Sequence, residues 1–127
     1  MPSPQPVAFA GTLQLAADQS LPQDPIPFNF SGQYTALAEF MLNLVSGSTT
    51  VPFGSVAAPG AKGVLIRYDA QPSPAGAAQV TINAGSEPLE LTPGGFLAYF
   101  NPTPAAGITA MTIAVTTACQ LKVWLLG

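Results

Sequence analysis

Charge is what this chain has least of. Its 127 residues include three Lys and Arg and six Asp and Glu, 7% in all, where an average globular chain carries roughly 25%. Histidine is absent, and there is a single cysteine, Cys119. Without histidine, the Ser-His-Asp and Cys-His nucleophilic systems and the usual imidazole metal sites are excluded, which also counts against a cupin-type metal centre. One cysteine allows no internal disulfide, and its apolar neighbours suggest a buried thiol rather than a reactive one. The three cations, Lys62, Arg67 and Lys122, are too few and too scattered to neutralise a phosphate backbone, so no nucleic-acid partner is expected. No apolar run approaches the roughly 18 residues of a membrane span, so no membrane partner is expected either. The first residues, MPSPQPVAFAG, have neither a basic segment nor a long apolar core. That pattern argues for folding in a reducing cytoplasm without secretion.

What remains is a chain of 48% hydrophobic residues with 14 Pro and 12 Gly. Its length suits one domain with a real core. Disorder is not expected, because disordered chains pair low hydrophobicity with high net charge. A solitary surface is hard to build from so little charge; designed monomers use roughly 25–35% charged surface residues. Cover by other subunits is therefore expected.

Along the chain, Met1 to Pro6 reads as an extended arm with prolines at 2, 4 and 6, and residues 7–127 as a single domain. Val7 to Ala17 is a strand candidate, with Phe9, Leu13 and Leu15 on one parity. In LPQDPIPFNF, residues 21–30, Pro22, Pro25 and Pro27 forbid a helix and favour polyproline-like extension. Gln33 to Val45 fits a strand on its apolar even positions and a helical stripe through Leu37, Phe40, Met41 and Leu44. The SGSTT turn at 46–50 favours a hairpin. Gly63 to Asp69, Gln79 to Ala84, Ile108 to Thr116 and Gln120 to Leu126 read as strands, divided by loops such as QPSPAGA and NPTPAAG. Glu87 to Leu91 and Phe96 to Phe100 flank Thr92-Pro93-Gly94-Gly95 as a hairpin. Phe96, Ala98 and Phe100 are then expected in the core, leaving Leu97 and Tyr99 to be covered from outside. Eight or nine short strands between Pro/Gly turns predict an all-β fold, an antiparallel β-sandwich of jelly-roll type with an extended Pro-rich N-terminal arm.

Few residues offer chemistry. Lys62 in PGAKG is a lysine in a turn, not a phosphate loop. Glu87 and Glu90 fall on opposite faces of a strand and read as solvated carboxylates, not an acid/base pair. Asp18, Asp24 and Asp69 lack the spacing of a calcium loop, and Asn29-Phe30-Ser31 is a sequon without a secretion signal. Arg67 can pair with Asp69 on one strand face, or with another subunit. Trp124, Tyr34, Tyr68 and Tyr99 are a possible sugar-stacking set, although Trp124 within LKVWLL suits core packing better. No catalytic residue, cofactor or metal site is expected.

Residues 62–127 carry KGVLIRYDA, then VTINAGSEPLELTPGGFLAYFNP, then ITAMTIAVTTACQLKVWLLG. In this style of PGG turn, aromatic strand ending in NP and terminal strand closing on Gly, the chain resembles the small β-sandwich decoration, or cement, proteins of tailed bacteriophages. The resemblance implies a non-enzymatic virion protein on the capsid exterior, made in the host cytoplasm and bound to the major capsid protein, with a homotrimer favoured. Pro2, Pro4, Pro6, Arg67, Leu97 and Tyr99 are the expected interface residues. The rival readings are a tail or baseplate module that contacts a receptor, and a carbohydrate-binding module.

Overall fold

A computed structural model describes residues 4–13, 26–56, 60–69, 76–101 and 107–127. Within them the chain is almost entirely β, with antiparallel pairing throughout and one 3-10 turn at Gly54–Val56. The strands are β1 (Gln5–Leu13), β2 (Ile26–Tyr34), β3 (Leu37–Leu44), β4 (Gly47–Thr50) and β5 (Gly63–Arg67). They continue as β6 (Ala78–Ile82), β7 (Leu89–Leu91), β8 (Phe96–Phe100), β9 (Met111–Val115) and β10 (Cys119–Leu126). β1 and β2 pair only with each other, while β3-β10-β5-β8 and β4-β9-β6-β7 form two four-stranded sheets.

The last eight strands pair as nested hairpins. β6 meets β7, β5 meets β8, β4 meets β9 and β3 meets β10, and the contacts β10–β5 and β9–β6 close each sheet. Alternation within the strands builds one core between the sheets. Val64, Ile66, Leu121, Val123 and Leu125 come from one, and Val80, Met111, Ile113 and Val115 from the other. Each such side chain contributes about 1.5–3 kcal/mol when fully buried. No charged residue is buried among the described residues.

Two expected hairpins are not hairpins. The GSTT stretch is itself β4, held by β9 and by Val51 N–H donating to Met111 O at 2.9 Å; tertiary pairing overrides its weak strand propensity. The TPGG turn does form, with Gly94 at φ 91° and Gly95 N–H donating to Thr92 O at 2.8 Å, the signature of a type II turn. It carries the chain between sheets, however, because Gly94 N–H and Gly95 O both bond to the backbone of Tyr68, at 2.6 and 2.9 Å. Of the LPQDPIPFNF stretch, residues 26–30 belong to a paired strand, not a polyproline extension, and residues 21–25 lie outside the described residues. Pro2, the Asp18 and Asp24 segment, and the turns at 71–75 and 102–106 lie outside the described residues.

Candidate binding face

The outer face of β3-β10-β5-β8 is where the apolar surface collects. In β10, Leu121, Val123 and Leu125 are fully buried, so strict alternation turns Lys122, Trp124 and Leu126 outward. Trp124 is thus not the core residue its apolar neighbours suggested. Lys122, on the same parity, was the signal that could have shown it. Register then sets Leu65 opposite Trp124 and Leu37 opposite Leu126 on that face. Leu37, Met41 and Phe96 are 47%, 51% and 65% exposed.

β8 also reverses its expected faces. Leu97 stands opposite Ile66 and Tyr99 opposite Val64, and cross-strand partners share a face. Since Val64 and Ile66 are core, Leu97 and Tyr99 pack inward against it, whereas Phe96 pairs with Arg67 and faces out. The cover that Leu97 and Tyr99 were expected to need comes from their own chain.

The base of the β1–β2 hairpin stands beside this face. Thr35 N–H donates to Gly127 O at 2.7 Å, and Lys62 Nζ reaches Gln33 O at 3.5 Å. Between hairpin and sheet lies a groove of about 690 Å³, walled by Pro6, Ala8 and Tyr34 on one side and floored by Leu65, Trp124 and Leu126 on the other. Gly63 belongs to the floor, where an added Cβ would lie 3.2 Å from Leu126 and 3.3 Å from Phe100. Any larger residue would push these side chains apart.

Charges on the face are satisfied within the chain. Arg67 grips Asp69 with two contacts of 2.8 and 2.9 Å, and Lys122 Nζ lies 3.4 Å from Glu39. The Arg67 guanidinium is held above its ordinary pKa by its hydrogen bond to Asp69 and by the carboxylate's charge. Lys122 Nζ and Arg67 Cζ sit 4.9 and 5.8 Å from the centre of the Trp124 ring, within reach of a cation–π attraction. The expected Arg67–Asp69 pair is present, and it is intramolecular.

Of the four aromatics expected as a stacking set, Tyr34, Tyr99 and Trp124 line the groove, whereas Tyr68 is fully buried, its hydroxyl donating to Gly76 O at 2.7 Å. Glu90 accepts from Gln79 Nε2 at 3.0 Å across β6–β7, and Glu87 precedes the strand, both exposed. Cys119 is a buried free thiol. Among the described residues, no three His, Cys, Asp or Glu gather as a metal site, and no helix is long and apolar enough to cross a membrane. Pro4 and Pro6 are exposed at the start of the hairpin. No family model matches this chain. Neither a curated protein nor a solved structure matches it.

Proposed function

We propose that the two sheets form a jelly-roll sandwich and that the chain is a structural subunit of a tailed-bacteriophage virion. In this reading it is a decoration protein that sits on the capsid exterior as a homo-oligomer and bridges neighbouring shell subunits. The strand order supports the jelly roll: nested hairpins split over two sheets as β3-β10-β5-β8 and β4-β9-β6-β7 make the double Greek key of that architecture. The fold does not name a function. The observation that carries the functional reading is the outer face of β3-β10-β5-β8. It is apolar and aromatic, and its charges are already paired within the chain, so it suits cover by protein better than recognition of a charged ligand. The likeness of residues 62–127 to decoration proteins supports the capsid over other assemblies.

Addition of purified protein to shells lacking it tests this. Saturable co-sedimentation at a stoichiometry fixed by the lattice is expected, together with greater resistance of the shells to heat. Failure to bind shells, with labelled protein found on tails instead, would move the protein to the tail. Binding to a glycan array that Trp124→Ala abolishes would replace the structural reading with a carbohydrate-binding one.

A further inference from the structure

We infer that β8 is a dimerisation edge: two copies of the chain pair antiparallel along β8, about a two-fold axis at Ala98, and join their β3-β10-β5-β8 sheets into one. The inference follows from the strand itself and does not depend on the capsid assignment. A two-fold pair of this kind is distinct from the trimer that the resemblance favours.

The hydrogen-bonding parity of β8 makes the first argument. β8 stands last in its sheet, and among the described strands it pairs with β5 alone. Two bonds in register with that pairing bracket it. Tyr68 N–H donates to Gly95 O at 2.9 Å at one end, and Asn101 N–H donates to Lys62 O at 2.7 Å at the other. Alternate residues of a strand turn their main-chain groups to the same side, so Leu97 and Tyr99 also bond towards β5. Phe96, Ala98 and Phe100 then aim their N–H and C=O groups away from β5, at the open edge.

The four sheet edges are not equally open. Native edges are guarded by charge, by proline or by being short. β3 carries Glu39, β7 is three residues long with Glu90 at its centre and Pro88 just before it, and β4 is Gly-Ser-Thr-Thr followed closely by Pro52. β8 has none of these guards: FLAYF is five residues without charge or proline. Its core-facing side chains are also unfinished. Leu97 and Tyr99 are half-buried, whereas their cross-strand partners Ile66 and Val64 are buried. Ile66 and Val64 have a strand on either side; Leu97 and Tyr99 have one on one side only.

The sequence of the strand selects the occupant. FLAYF has the same pattern in both directions, so an antiparallel second copy centred on Ala98 matches it at every position. Ala98 meets its own counterpart, Phe96 meets Phe100 of the second copy, and Leu97 meets its Tyr99. Aromatic pairs on the outer face and Leu–Tyr pairs on the core face are cross-strand neighbours that stabilise a sheet, and they give the 65%-exposed Phe96 a partner. The outward groups of Phe96, Ala98 and Phe100 exchange about six main-chain hydrogen bonds with their counterparts. Such self-complementarity is the requirement of an isologous two-fold interface.

Sedimentation equilibrium of the purified full-length protein, without shells, tests the inference. Pairing along one edge lies at the small end of specific interfaces, so the wild type should dimerise at about 10–100 μM. Ala98→Pro removes only a donor that points away from β5, a change that edge strands tolerate. It should leave the protein monomeric with a melting temperature near wild type. Ala98→Lys and Ala98→Glu each set like charges opposite one another at the axis and should weaken association about 10-fold or more. Mixing these two variants should restore association as a heterodimer, because opposite charges then face each other. A wild type that stays monomeric over that range overturns the inference. So does an Ala98→Pro variant that associates normally, or a mixture of the charge variants that shows no rescue. Should Ala98→Pro fail to fold, the charge variants decide alone, since the Ala98 side chain is exposed. Dimers that do not bind shells would keep the β8 edge and sink the capsid assignment; shell binding by a monomer would do the reverse.

Discussion

Tyr68 and Asn83 show how single residues hold the two sheets in place. Tyr68 is fully buried between its backbone bonds to the TPGG turn and its hydroxyl bond to Gly76. Burial pushes its phenol from 10.0 up to about 12, with Cys119 adding to the rise. The folded chain therefore holds this proton more tightly than the unfolded chain does. Its contribution should be complete below about pH 10 and decline as the pH rises towards 12. Urea unfolding across that range should show the decline, and Tyr68→Phe should flatten the part due to this group; an identical profile in the variant would remove Tyr68 from the account. Asn83, at φ 52°, bonds to three residues of the segment leading to β9. Its Oδ1 accepts from Thr109 N at 2.8 Å and Ala110 N at 3.2 Å, and its Nδ2 donates to Gly107 O at 3.1 Å. Asn83→Ala should cost about 1–3 kcal/mol by chemical denaturation. In the sequence Asn83 is one residue of the Gln79 to Ala84 strand candidate. Its partners lie more than twenty residues on, and only folding brings them near.

β8 is the element in which inward and outward are most easily tested. Leu97 packs against the core and Phe96 is exposed, so the two neighbours should respond oppositely to polar substitution. Leu97→Glu should destabilise folding by several kcal/mol, on the order of 3–5, seen as a large fall in melting temperature. Phe96→Ser should leave the melting temperature close to wild type and act, if anywhere, on association. Equal effects on folding would mean that the faces are not separated as described. The FLAYF run concealed this because both parities are apolar. In QLKVWLL the single Lys122 breaks the same ambiguity and assigns the whole of β10. A strand's face is legible from sequence where one charged residue marks the solvent side, and illegible where none does.

For the whole molecule, the consequence of scarce charge is an assembly that should depend little on salt. The ion pairs on the candidate face are closed within the chain, leaving apolar burial to drive association. Arg67→Ala should therefore leave both oligomerisation and melting temperature near wild type; a clear loss of oligomer would restore the intersubunit ion pair expected from the sequence. Deleting residues 1–6 removes Gln5 and Pro6 from β1 and, with Pro6, part of one wall of the groove. That deletion should weaken oligomerisation and binding to particles without unfolding the two sheets. Full retention of both would exclude this segment from the interface.

The all-β class, the approximate strand positions and the presence of a turn at TPGG were determined by sequence alone. They follow from local causes: period-two alternation, the fixed φ of proline and the positive φ open to glycine. Which strands pair, which side of β8 is buried, and that Ile26–Tyr34 returns along β1 as a ribbon were decided by tertiary structure. Each depends on partners distant in the chain, as when Ile66 assigns Leu97 to the core. Hydrophobicity says that a residue should be covered. Only the register of its neighbours says by what.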